Sequence, residues 1–280
     1  MSPRSDLSSG YASSGGAKLY FETAGEGAAL VFIHAGISDS RMWDPQFERF
    51  ADRFKVVRYD HRSFGKSDFP NEPYTLRDDL LNVLRHLGIE KAVLIGCSMG
   101  GGTAIDFALE HPGVVSALVL VGSGISGLND PKYLSEDTIK YWRQLMSVIQ
   151  KGDLDKAREM DAKYWIDGSG RSPSEIAPVY RERAWQLHRE NFSVERVARP
   201  ESQLTPPAIG RLTEIKAPTM VVIGDNDSED LRTLADRLAA EISGARLAQM
   251  RNAAHLPSLE HPAEFNRLLE EFLGSLPTRT

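Results

Sequence analysis

Ser98, His255 and the aspartates Asp225 and Asp227 are the residues of this chain whose types and order could together carry out chemistry. The serine lies in Gly96-Cys97-Ser98-Met99-Gly100, a G-x-S-x-G string. Val93-Leu94-Ile95 precede it with strand character, and Thr103 to Leu109 follow at helical spacing. A serine at the apex of a strand-to-helix turn sits in a strained backbone conformation that projects its hydroxyl, and the next N–H, on Met99, points to the same place. Such a site can attack a carbonyl and hold the resulting oxyanion, which is what acyl transfer requires. A lone string of this kind could equally be an ordinary turn serine, so a base and an orienting acid must be found elsewhere in the chain.

Seven histidines compete for the role of base. His34 and His61 follow strand-like runs, His86, His111 and His188 fall within or at the ends of helical patterns, and His261 precedes Pro262 at a helix start. His255 instead occupies a loop, Arg251 to Pro257, after the short strand Ala245 to Met250 and before the last amphipathic helix. The acid is offered by Gly224-Asp225-Asn226-Asp227, a turn at the end of the apolar strand Thr219 to Ile223. Either carboxylate there could instead be a simple helix N-terminal acid. The chain order is Ser98, then Asp225 or Asp227, then His255, unlike the trypsin-like and subtilisin-like orders.

The elements that must position these residues alternate. Apolar strands are expected near 30–33, 55–59, 92–96, 115–121, 218–223 and 245–250, with helical patterns between them and an antiparallel edge strand at 17–23. This alternation implies an α/β fold with a mostly parallel sheet covered on both faces, and ligands at the carboxyl ends of its strands. From Val121 to Pro218 no convincing strand occurs. Thr138, Trp142, Leu145 and Ile149 mark one helix there, Leu154, Ala157, Met160 and Tyr164 a second, and Ile176, Tyr180, Ala184 and Leu187 a third.

Four blocks make the chain resemble the α/β-hydrolase superfamily over nearly all of its length after residue 17. His34-Ala35-Gly36-Ile37 resembles its His-Gly-x-x oxyanion loop, and Asp60 to Ser67 its Asp-x-Arg-Gly-x-Gly-x-Ser turn. Gly96 to Gly100 is the nucleophile elbow, and Gly224 to Asp227 with Ala254 to Pro262 resemble the acid and histidine loops. The resemblance implies a triad of Ser98, Asp227 and His255, with the backbone N–H groups of Gly36 and Met99 as oxyanion donors. It departs at Ala35 and Ser63, which stand in tight turns where the family usually has glycine. It also implies a core over 17–124 and 214–280 and a helical cap inserted at 125–213. Trp142, Trp165, Trp185 and His188 are the cap's candidate substrate contacts, set against the alternative that aromatics at helical spacing are simply cap core.

The activity so implied is cofactor-independent hydrolysis of an ester or lactone of a small organic acid through an acyl-enzyme on Ser98. Met42-Trp43-Asp44-Pro45-Gln46 and Tyr59-Asp60 are similar to enol-lactonases. The same triad and cap also serve carbon–carbon bond hydrolases and haloperoxidase-like perhydrolases. A binding receptor that retains the triad is the alternative of another class.

Composition sets the remaining bounds. With 280 residues, 41% hydrophobic and 26% charged, the chain has material for one large core. Its single cysteine, Cys97, cannot form an intramolecular disulfide and reads as a small buried side chain. A net charge of −6 with interspersed signs argues against a nucleic-acid partner. No apolar run reaches the ~20 residues of a membrane span, so a cytoplasmic monomer or homodimer is expected. Residues 1–16, rich in Ser and Gly, are expected to be disordered. Gly122 to Gly127 satisfies a dinucleotide-binding string but is followed by Asn129-Asp130-Pro131 rather than by an immediate helix. Gly65-Lys66-Ser67 imitates the end of a phosphate-binding loop but lacks its first glycine, and no metal-binding motif occurs.

Overall fold

The computed structural model describes residues 6–69, 73–193 and 202–277. Eight strands form one sheet: β1 (Ser8–Ser14), β2 (Ala17–Ala24), β3 (Ala29–Ile33), β4 (Lys55–Tyr59), β5 (Ala92–Cys97), β6 (Val115–Val121), β7 (Thr219–Gly224) and β8 (Arg246–Met250). Their order is β1-β2-β4-β3-β5-β6-β7-β8, with β1, β2 and β4 paired antiparallel and every other pair parallel. The six apolar runs expected as strands are β3 to β8.

Continuous apolar runs suit these strands because both faces are covered. Within β3, Val31 and Ile33 enter one core cluster and Leu30 and Phe32 the other. The first cluster is roofed by α2 (Leu76–His86), α3 (Met99–Glu110) and α7 (Glu229–Glu241), and the second by α1 (Asp44–Phe50) and α8 (Pro262–Ser275).

The amino-terminal expectation needs correction. Residues 8–14 form the outermost strand, so Ala17–Ala24 is an interior strand rather than the edge. Gly15 and Gly16 both take positive φ, +50° and +79°, and so close the two-residue hairpin that a Ser/Gly composition disguises as disorder. Ser14 then fixes the strand: its hydroxyl donates to Asp79 at 2.6 Å, and its carbonyl accepts from Arg62, itself bound to Asp79. The remainder of the 1–16 expectation that falls on residues 1–5 lies outside the described residues.

Between β6 and β7 the chain leaves the sheet as α4 (Glu136–Gln150), α5 (Leu154–Ala162) and α6 (Pro178–Asn191), with a π-helical turn, Lys163–Asp167, after α5. Tyr141, Leu145 and Ala157 form a small core of their own, whereas Tyr180, Ala184 and Leu187 on α6 join a sheet-face cluster. Among the described residues no helix is long and apolar enough to cross a membrane.

Candidate active site

Ser98 stands between β5 and α3 with φ +53° and ψ −114°, a backbone conformation that side chains rarely adopt and that functional turns tolerate. The surrounding glycines permit it by close approach. A Cβ at Gly96 would lie 2.3 Å from the Gly100 carbonyl oxygen, and one at Gly100 would lie 2.3 Å from that of Ile33. Ser98 N–H donates to Val121 at 2.9 Å, and its carbonyl accepts from Gly102 at 3.0 Å and Gly124 at 2.9 Å. Gly124, within the Gly122 to Gly127 run, therefore braces the elbow. Cys97 is wholly buried, and burial pushes its thiol well above the ordinary range, so it stays protonated.

The acid and histidine turns follow β7 and β8. His255 Nδ1 lies 2.9 Å from Asp227 Oδ2, with both residues buried. The other Asp227 oxygen accepts from Ser228 N–H at 2.8 Å. Asp225 is directed elsewhere, accepting from Ala253 N–H at 3.4 Å. The structure thus brings Asp227, rather than Asp225, to the histidine. With Nδ1–H donated to the carboxylate, Nε2 is left as the ring's acceptor, and His255 and Ser98 line one cavity.

Gly36 and Met99 line the same cavity. Met99 is the first residue of α3, ahead of the first intrahelical donor Gly102, so its N–H has no acceptor within the helix. The oxyanion loop is held from behind by His34, whose Nδ1–H donates to Ala35 at 2.8 Å while Nε2 accepts from His61 N–H at 2.9 Å. The two departures from the glycine pattern are accommodated differently. Ala35 is buried, its carbonyl accepting from Ser38, and Ser63 adopts the positive φ, +68°, that a glycine would take.

The cavity measures about 870 Å³ and is walled mainly by apolar side chains, among them Ile37, Ile125, Leu145, Met146 and Phe192. Three of the four cap candidates reach it: Trp142, Trp165 and His188. Trp185 does not. Its ring, half-buried on α6, packs against the sheet-face cluster, with Nε1–H directed to Asp167 at 3.3 Å and Arg181 over its face. Helical spacing alone could not tell which wall of α6 it serves.

Asp161 is the functional candidate that sequence reasoning missed. This buried carboxylate lines the cavity and accepts from the Tyr141 hydroxyl, from Trp165 Nε1–H at 3.1 Å and from His188 Nε2–H at 2.7 Å. Burial and the Asp161 charge hold the Tyr141 hydroxyl far above the ordinary phenol range, so it remains a donor. Trp165 also packs against His255, ring centroids 4.5 Å apart and the planes tilted by 39°, and its carbonyl accepts from His255 N–H at 3.4 Å. The i, i+4 spacing of Asp161 and Trp165 on one helical face was the available signal.

The sequence profile of the alpha/beta hydrolase fold matches residues 28–262. The chain belongs to the α/β-hydrolase fold family. It is 30% identical over 269 residues to a 2-hydroxy-6-oxononadienedioate/2-hydroxy-6-oxononatrienedioate hydrolase of Pseudomonas putida, covering 91% of each chain. Among solved structures it is similar to an N-acyl homoserine lactone degrading enzyme, at 28% identity and a TM-score of 0.79, covering 94% of this chain and 100% of that one. The enol-lactonase from Burkholderia xenovorans LB400 shares the fold at 23% identity and a TM-score of 0.76, covering 95% of this chain and 100% of the other. For this α/β-hydrolase, the elbow, the acid turn and the histidine loop all fall inside the matched region.

Proposed function

We propose that this α/β-hydrolase is a serine hydrolase of uncharged esters or lactones, working through an acyl-enzyme on Ser98. The observation that carries the proposal is the Asp227–His255 pair, 2.9 Å apart and buried, at the base of the largely apolar cavity that Ser98 lines. His255 Nε2 takes the Ser98 hydroxyl proton as Oγ attacks the carbonyl carbon, and Asp227 orients and stabilises the imidazolium. The N–H groups of Gly36 and Met99 receive the oxyanion. On collapse the C–O bond to the alcohol breaks, and the alcohol oxygen takes the proton from His255. Water, deprotonated in turn by His255, then releases the acid and restores Ser98.

The charge of the cavity supports an uncharged acyl group. Among the described residues no arginine or lysine lines it, while the carboxylates Asp161 and Asp230 do. A dioate has two negative charges to bury, and burying a charge without a partner is costly. The near-30% likeness over almost the whole chain to the P. putida hydrolase favours carbon–carbon hydrolysis of a dienoate as the second reading, with the same serine and histidine.

Turnover of p-nitrophenyl esters across acyl lengths, of a γ-lactone and of a 2-hydroxy-6-oxodienoate, wild type beside Ser98→Ala, separates the two. Ester and lactone turnover that vanishes in the variant, with little on the dienoate, is the expected result. Preference for the dienoate by an order of magnitude or more in kcat/KM would reverse the assignment. Intact-mass labelling of Ser98 by an organophosphonate, with no turnover of any substrate, would favour a ligand-binding receptor.

A further inference from the structure

His255 is held by groups of different origin, and only some of them come from the sheet and its turns. At the Nδ1 edge stand Asp227 Oδ2, 2.9 Å away, and the backbone of Gly122, where a Cβ would lie 3.2 Å from Nδ1 and 3.0 Å from Oδ2. A single hydrogen bond fixes a point and a direction but leaves the ring free to swing about it. Proton transfer in the proposed mechanism needs more, because a misplacement of about 1 Å at the reacting atoms can cost about 10²-fold in rate.

The second hold comes from the helical segment between β6 and β7. Its π-helical turn Lys163–Asp167, a geometry that is rare and recurs at functional sites, carries Trp165 to within 4.5 Å of His255 between ring centroids, the planes 39° apart. The Trp165 carbonyl also accepts from His255 N–H at 3.4 Å, so one residue meets both the ring and the backbone of the histidine. The indole is itself fixed. Nε1–H donates to Asp161 at 3.1 Å, and Tyr164 and Tyr141 stand edge-on to the ring at 4.7 Å and 6.3 Å. Just beyond the turn, the chain docks on the acid and histidine loops. Ser169 N–H donates to the Asn226 carbonyl at 2.8 Å, Asn226 Nδ2 donates back to the Ser169 carbonyl at 3.1 Å, and a Cβ at Gly168 would lie 2.7 Å from that of Ala254. Asn226 and Ala254 are the chain neighbours of Asp227 and His255.

We infer that Trp165 is a positioning residue for the catalytic base. The inference rests on the reading under Proposed function and adds that the triad is completed from outside the sheet. Asp161 sets the indole, and the indole sets the plane of the imidazole. Nε2 is thereby kept in the orientation from which it takes the Ser98 proton and returns it to the leaving alcohol. The role requires no bond between Trp165 and the substrate.

Three butyrate esters with leaving groups of similar size and rising basicity test this: p-nitrophenyl, phenyl and benzyl. A nitrophenolate departs without a proton, whereas a benzyl alkoxide departs only as His255 protonates it. Trp165→Leu should therefore lower kcat/KM by about tenfold on the p-nitrophenyl ester and by about 100-fold or more on the benzyl ester, with phenyl between them. Trp165→Phe keeps an aromatic face for the imidazole and should hold the p-nitrophenyl-to-benzyl ratio within about threefold of wild type. A Trp165 that only lined the cavity or packed its wall would give equal losses, because the acyl group is common to all three esters. Equal losses in Trp165→Leu overturn the inference, and so does a Trp165→Phe ratio as disturbed as that of Trp165→Leu. Trp165→Met, unbranched and apolar, carries the same expectation as Trp165→Leu and replaces it if that variant does not fold. Failure of the wild-type enzyme to turn over any of the three esters would instead defeat the hydrolase reading, and the inference with it.

Discussion

Two carboxylate–imidazole pairs face one cavity, and the backbone that carries each is different. Asp227 and His255 sit on turns at the carboxyl ends of β7 and β8, neighbours in the sheet whose register pairs Met220 with Arg246 through Gly224 with Met250. Asp161 and His188 sit on the helices α5 and α6 above the sheet. The lower carboxylate is shared between one backbone N–H and the histidine, whereas the upper one is saturated by three side-chain donors. The lower histidine lines the cavity together with Ser98, and the upper one is tied within the helices by its own carboxylate. Under the proposed function the lower pair carries the proton transfer, and the upper pair holds the cavity wall.

The sharpest way to break this comparison is by substitution on each side. Ser98→Ala should cost about 10⁶-fold in kcat on a p-nitrophenyl ester, the scale seen when a triad nucleophile is removed. Asp227→Asn should cost about 10⁴-fold, because the amide no longer holds the productive histidine tautomer. Asp161→Asn, the equivalent change above, is expected to lower kcat by about tenfold or less. Stopped-flow or steady-state rates on one ester settle all three. A loss near 10³-fold in Asp161→Asn would place the upper pair in the chemistry and end the distinction.

The two regions also differ in how far the sequence discloses them. The elbow is legible because its requirements are local: glycines that let Gly96 and Gly100 meet neighbouring carbonyls, then a helix start at Met99. The choice between Asp225 and Asp227 is not local, since both sit in one turn. It is decided by what β8 brings alongside, Ala253 for one and His255 for the other. Trp185 was indistinguishable from Trp142 by spacing, because a helix packed on both sides gives periodicity without direction. Asp161 reads as a solvated helical acid until Tyr141, Trp165 and His188, from three separate elements, are seen around it. β1 was hidden for the same reason, its support coming from Arg62 and Asp79 far along the chain.

A further test cuts the tie between the two regions. Arg171, in the segment before α6, donates to the carbonyls of Asp167 and Asn252 and pairs with Glu260 at 2.6 Å, both side chains buried. Glu260 in turn accepts from Ala254 N–H at 2.9 Å, next to His255. Removing one partner of a buried pair leaves the other charge uncompensated, at about 3–5 kcal/mol. Arg171→Met should therefore lower the thermal midpoint by roughly 6–15 °C. Adding Glu260→Gln, which removes the stranded charge, should restore part of that loss. Calorimetry on the single and double variants checks it, and an unchanged midpoint in Arg171→Met would mean that the segment is anchored by its packing alone.

The smallest effect concerns a carboxylate less well supplied than Asp161. Asp106 lies on α3, behind the elbow, and accepts from Ser126 Oγ at 2.8 Å, with Arg77 4.0 Å away. Burial pushes its carboxyl up to about 6, against the opposing pull of Ser126 and Arg77. Because the folded-state value lies above the unfolded one, the fold binds this proton more tightly. The associated stability is complete below pH 4 and is lost as pH rises through about 6. At pH 7.5 the ionised group costs the fold about 2–3 kcal/mol. Asp106→Asn keeps an acceptor for Ser126 and removes that cost. Urea unfolding should show the variant's stability relative to wild type rising between pH 4.5 and 7.5 by about that amount. A variant that instead loses ground over the same interval would show that the Asp106 charge is needed by Arg77, and that donor supply does not separate it from Asp161.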